Sequence, residues 1–284
     1  MRLILIICLI MLSLAAKPNC KPPHFRRIHG TDSGAAIEPF SESSAWKVVG
    51  TGWQPLNGKL AEEGPIYRFL PKKPGQLAAG GRLQALAIDG KPGFDARNWN
   101  GKVVVETAKA LAQWLDITSA DTQKNDLRKS GRATGAAVCA RVEGIWSGNG
   151  AIYGACKNGD QAKKGQIWKY TASASEGTSG EAQRPGVLEL FIEPNNPALV
   201  DPCDNIPVRP NSGDLFVCED NDDRRDTNNI VGVVPSGDAF IFAHNSHNNS
   251  EFAGACFSAE GSTLFVNIYE PGLTLAITGP FHRG

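Results

Sequence analysis

The chain has 284 residues, 29 basic and 29 acidic side chains, no net charge and 41% hydrophobic content. That composition is globular, with apolar material for one substantial core. The balanced charge argues against nucleic-acid binding and against an electrostatic membrane-surface role, while 31 glycines and 18 prolines suit a turn-rich β protein.

The segment 1–16, MRLILIICLIMLSLAA, carries one basic residue, an apolar run and then small residues. It reads as a secretory signal peptide, too short for a stable membrane span, and implies a secreted or periplasmic protein. The competing reading is a translation start fused to unrelated sequence. Residues 17–45, rich in Pro, Gly, Ser and Arg, read as a linker, and residues 46–284 as the folded unit.

WKVVGTG, from Trp46, reads as a strand. GPIYRFL, from Gly64, and GRLQALAI, from Gly81, read as a β pair around a Pro- and Gly-containing loop. In ETAKALAQWLD, Glu106 to Asp116, the apolar positions Ala108, Leu111, Ala112 and Leu115 have helical spacing. This predicts a small helical insertion, extended or followed by Asp121 to Ser130 and broken at Gly135. From Ala137 onward, VEGIW, AIYGAC, GQIWKYTA and VLELFIE make a four-stranded unit, with the polar stretch Ser173 to Pro185 as a hairpin loop. Asp204 to Ala243 supplies a second unit, and Glu251 to Phe281 begins a third.

These units repeat a phrase: an acidic residue opens a strand, a Gly-containing turn follows, and a second apolar strand returns. Glu143, Asp204 and Glu251 hold equivalent places, 61 and then 47 residues apart. Antiparallel repeats of this kind predict an all-β fold, a partial β-propeller of about three to four blades. Inner strands line a propeller's channel, so the three acids are expected to converge. Two carboxylates about 5 Å apart repel by roughly 3 kcal/mol at an effective dielectric near 20. Such a cluster must protonate or bind a hard cation such as Ca²⁺; the alternative leaves each acid capping a turn in water.

Arg141 stands two residues before Glu143, which on a strand puts both on one face. It could grip phosphate oxygens in a fork or pair with Glu143. His244 and His247 fall in a polar turn and read as loop residues. The run Glu219 to Asp226 lacks EF-hand spacing. The seven cysteines include no CxxC pair, which argues against a zinc ribbon; Cys139, Cys156, Cys218 and Cys256 sit in apolar strand contexts.

The motifs ARVEGIW, GQIWKY, DNIPVRPNSGDLFVCED, SEFAGACFSAEGSTLFVNI and PGLTLAITGPF resemble the C-terminal half of the secreted PhoX-type alkaline phosphatase family. GPIYRFLPKKPGQLAAGGRLQAL resembles the middle of the same family. The resemblance implies a six-bladed propeller that hydrolyses a phosphate ester substrate at a calcium and iron cluster in its channel. It implies Glu143, Asp204, Glu219, Asp220 and Glu251 as metal ligands, and Arg141 as the catalytic, substrate-binding residue. The chain departs from the family pattern in having no counterpart to its N-terminal half or its iron-binding cysteine. Cys203 stands where proline is usual, Asn221 follows CED where glycine is common, and Arg26–Arg27 lie after the apolar run. Two readings follow: a metal-dependent phosphatase, inactive if truncation has removed part of its site, or a non-enzymatic calcium-binding propeller fragment that acts in binding or assembly. An open blade face also predicts self-association.

Overall fold

The computed structural model describes residues 48–51, 64–101, 108–118, 126–221 and 228–281. The apolar segment 1–16 and the linker 17–45 lie outside them. The strands are β1 (Val48–Thr51), β2 (Ile66–Pro71), β3 (Gly81–Ile88), β4 (Lys109–Asp116), β5 (Val142–Gly148), β6 (Ala151–Cys156), β7 (Gln166–Thr171), β8 (Val187–Ile192), β9 (Leu215–Cys218), β10 (Asn229–Val233), β11 (Ala239–His244), β12 (Phe252–Phe257), β13 (Thr263–Ile268) and β14 (Leu273–Thr278). Among the described residues one α-helix, α1 (Leu127–Ala133), interrupts them.

All the strand ladders are antiparallel. The sheet orders are β1-β2-β3-β4-β8-β7-β6-β5, β11-β10-β9 and β12-β13-β14. The first sheet is two four-stranded meanders fused through β4 and β8, and its end strands β1 and β5 lie against each other. Period-2 alternation then explains the stacking. On β6, Ile152 and Cys156 enter one core, while Ala151, Tyr153 and Ala155 enter the next. On β9, Leu215 and Val217 face that second core, and Phe216 and Cys218 face a third against β12–β14. Strands buried on both faces between successive small sheets are the radial packing of a β-propeller. The all-β expectation and the blade-like repeats therefore hold.

The helix expected over Glu106 to Asp116 is instead strand β4. Its core-side residues alternate: Ala110, Ala112 and Trp114 pack on the first core, as does Ala108 just before the strand, while Lys109, Leu111 and Gln113 are exposed. Pairing decides between the two periods. The edges of β3 and β8 would each expose unpaired backbone groups, and β4 satisfies both. It runs Gln84–Ile88 against Ala112–Asp116 and Val187–Glu189 against Lys109–Leu111. The small helix lies further on, at Leu127–Ala133, and Gly135 follows it at φ +95°.

Arg68 ties the fused meanders together. It is 1% exposed, bonds Gln84 through Nε at 2.8 Å, pairs with Glu176 and Glu181, and stacks over Trp114. Both acids sit in the polar β7–β8 loop, so that loop is pinned back onto β2.

Candidate metal centre

Three chain segments meet where the repeats begin. Glu143 is the second residue of β5, Asp204 precedes β9 in the segment that pairs with its end, and Asp220 follows that strand. A β-bulge between Val142 and Ile145 turns the β5 backbone. Gly144 allows the close approach: a Cβ there would lie 2.1 Å from the Asp204 carbonyl oxygen. Asp204 is held by its own N–H, which donates to the Cys218 carbonyl at 2.9 Å, while Cys218 N–H donates to Asn205.

One oxygen from each of Glu143, Asp204 and Asp220 lies within 4.8 Å of the other two. Glu143 and Asp204 are buried, at 7% and 8% exposure. Their carboxyls share a hydrogen bond, and the Asp204 pKa is pushed well above the usual range, first by burial and then by Glu143. Glu251, just before β12, shares a hydrogen bond with Asp220. Burial, and then the Asp220 charge, raise its pKa to about 8. Carboxyls from three repeats thus gather in one place, where burial and mutual repulsion favour the neutral form of Asp204 and Glu251.

Two basic side chains complete the group. Arg141 Nε lies 2.5 Å from Glu143 Oε1, the ion pair that the sequence left open beside a phosphate-gripping role. The two do not meet through strand alternation. Arg141 precedes β5 with φ +43°, a left-handed backbone uncommon for a side-chain-bearing residue. Lys157, 1% exposed at the end of β6, pairs with Asp220. Burial works against its charge, yet Glu143 and Asp220 outweigh burial and hold its pKa above the ordinary value. Sequence reasoning missed Lys157; the available signal was a lysine directly after the wholly apolar strand AIYGAC.

Glu219 points elsewhere. Its oxygens accept the Asp201 N–H at 2.9 Å and both the backbone and side-chain N–H groups of Asn229 at 2.8 Å. Burial raises its pKa to about 7. The geometry makes it a brace that closes β9 against β10. His244 is exposed, with Nδ1 3.0 Å from Asn229 Oδ1. Residues 222–227 of the acidic run lie outside the described residues.

The donor set suits a hard cation. It offers carboxylate oxygens alone, and their gathered negative charge favours a cation among them. Cys139, Cys156, Cys203 and Cys218 are buried free thiols and Cys256 is partly buried. Burial raises the pKa values of Cys203 and Cys218, beside the acids, and so disfavours thiolates there.

A family profile described as "Alkaline phosphatase PhoX" matches residues 59–272. Among solved structures, Pseudomonas fluorescens PhoX in complex with vanadate, a transition state analogue, superposes with a TM-score of 0.57 at 18% identity. The match covers 86% of this chain and 52% of that one, so this chain spans about half the length of the solved relative. A search of curated proteins finds no match.

Proposed function

The chain belongs to the alkaline phosphatase PhoX family, and from that premise we propose that it hydrolyses phosphate monoesters at a metal centre held by Glu143, Asp204, Asp220 and Glu251. The observation that carries the proposal is the meeting of Glu143, Asp204 and Asp220 donor oxygens within 4.8 Å, beside the basic side chains of Arg141 and Lys157. Calcium fits these oxygens, and iron joins the proposal as a second ion that carboxylates also bind. When bound, such ions neutralise phosphate charge and stabilise the leaving oxygen.

The protein's own groups bind and orient. Arg141 offers a planar fork of donors, and its ion pair with Glu143 holds that fork at the edge of the acid group. Lys157 places a buried ammonium beside Asp220, where it offsets part of the carboxylate charge that an incoming phosphate would meet. Glu219 fixes the β9 end from which Asp220 projects.

The test is turnover of p-nitrophenyl phosphate with added Ca²⁺, with metal content measured on the same sample. Activity that requires metal and disappears in Glu143→Ala supports the reading. Bound metal without turnover would instead favour a calcium-binding module. Export is part of the proposal and rests on the apolar segment 1–16; among the described residues no helix is long and apolar enough to cross a membrane. Self-association through the last sheet is proposed from the exposure of Phe265, Tyr269 and Leu273, and sedimentation velocity tests it.

A further inference from the structure

The described cysteines divide among the cores. Cys139 and Cys156 are buried in the first, Cys203 in the second and Cys218 in the third, while Cys256 is partly buried on β12. Period-2 alternation makes the division. Cys156 leaves β6 on the face opposite to Tyr153 and Ala155, which enter the second core. Cys139 and Cys156 stand 17 residues apart; the first precedes β5 and the second ends β6.

Their side chains meet. The Cys156 thiol shares a hydrogen bond with the Cys139 thiol, and its sulfur also accepts from the Ala140 N–H. Both backbones are held in place. Cys139 exchanges N–H···O bonds with Gly64, at 3.0 and 3.2 Å, and Cys156 is paired with Val142 on one side and Gln166 on the other. Lys157 N–H donates to the Arg141 carbonyl at 3.0 Å, so the two segments run side by side at this point. A sulfur–sulfur bond needs such a close, backbone-fixed pair, because Cα atoms more than roughly 7 Å apart cannot be bridged without backbone movement. Cys203 also acts on Cys156 through its charge, but its thiol donates to the Gln166 carbonyl at 3.7 Å, within the second core.

We propose that Cys139 and Cys156 form a disulfide, a modification that staples the segment carrying Arg141 to the end of β6 that carries Lys157. Oxidised glutathione, or another small disulfide, is the oxidant. One cysteine attacks a sulfur of the oxidant and releases one glutathione thiol. The other cysteine then attacks the mixed disulfide and releases the second, so the hydrogens and electrons that the cysteines lose are those the oxidant gains. Burial first, and then Cys139, push the Cys156 pKa well above its ordinary value, which disfavours a thiolate in the finished fold. The exchange therefore belongs to folding, before the first core closes, and the closed core afterwards shields the bond from reductant. The pairing does not depend on the phosphatase reading.

The test unfolds the full chain in urea and refolds it by dilution into oxidised and reduced glutathione. Free thiols are blocked with iodoacetamide and the protein is cut with trypsin without reductant. Trypsin cuts after Arg132, Arg141 and Lys157, so the two cysteines fall in separate peptides, 133–141 and 142–157. These should be recovered joined, and dithiothreitol should separate them. The linkage should persist in Cys203→Ala, while in Cys139→Ala peptide 142–157 should be recovered alone and alkylated. A bond closing a loop of this length should raise Tm by roughly 6–12 °C over the reduced chain. Both peptides alkylated and unjoined, or Cys156 joined to Cys203 instead, would overturn the proposal. So would a lower Tm in the oxidised chain, because the bond would then strain the core it is proposed to fit.

Discussion

Replacing Gly144 with alanine tests the contact that brings two chain segments into the metal centre. The new Cβ would sit 2.1 Å from the Asp204 carbonyl oxygen and 3.2 Å from Asn205 Cα. The first distance is far inside the roughly 3.5 Å at which nonbonded heavy atoms come to rest. The obstacle is backbone, anchored by the Asp204 and Cys218 hydrogen bonds, so it cannot rotate away. Overpacking of this kind costs about 1–3 kcal/mol, and the rigid acceptor places Gly144→Ala at the upper end. Reduced unfolded-chain entropy returns about 0.4–1 kcal/mol, leaving a net loss of about 2 kcal/mol. That corresponds to a fall of roughly 4–8 °C in Tm for a domain of this size. Calcium affinity should fall as well, because Asp204 is pushed away from Glu143. Gly154→Ala, on the paired strand β6, is the control. Its Cβ would meet only Ile66 Cδ1 and Val142 Cγ1 at 3.7 Å, ordinary contact, so it should be neutral or slightly stabilising. Urea melts and calcium calorimetry on both variants decide the matter. Equal stability and calcium affinity in the two would refute the claim that this close approach builds the site.

Further outcomes follow from the same charges. The Glu251 pKa stands near 8 in the fold against 4.5 unfolded. The native state therefore holds a proton that the unfolded chain releases, so metal-free stability should fall by a few kcal/mol as pH rises from about 4.5 through 8. Calcium should accordingly raise Tm far more at pH 9 than at pH 5; an equal rise at both would contradict this. Lys157→Met leaves Asp220 without its ammonium and should cost about 3 kcal/mol without calcium, and less with it, as chemical denaturation in both conditions would reveal. Arg68→Met strands Glu176 in the fused meanders and should cost about 3–5 kcal/mol. Calcium affinity should be unchanged in that variant; a loss would mean the two regions are coupled.

The all-β character and most of the strands were legible in the sequence, but the acids do not hold one repeated place: Glu143 lies within β5, Glu251 just before β12, and Asp204 well ahead of β9. Hairpin turns and period-2 burial are local properties, written in adjacent residues. The same holds for the cysteines, which pack as small apolar groups, and for the β2–β3 pair with its loop. β4 was not legible, because KALAQWLD fits both periods: Leu111 and Leu115 keep helical spacing while Ala110, Ala112 and Trp114 alternate. Only the need of β3 and β8 for hydrogen-bond partners makes it a strand, and β8 lies some 75 residues further along the chain.

Within the site, sequence marked the acids but not their directions. Asp204 and Glu219 lie on facing segments of one hairpin, yet Asp204 turns to Glu143 while Glu219 turns to the N–H groups of Asp201 and Asn229. Arg141 reaches Glu143 through a left-handed backbone that no pattern of residue types announces. Lys157 was not marked by the sequence; the stacking of β6 against β9 carries its ammonium to Asp220. Side-chain chemistry is a property of the residue, and secondary structure largely of its neighbours. The charge that a side chain meets is set by segments folded in from elsewhere, and only the tertiary structure decides it.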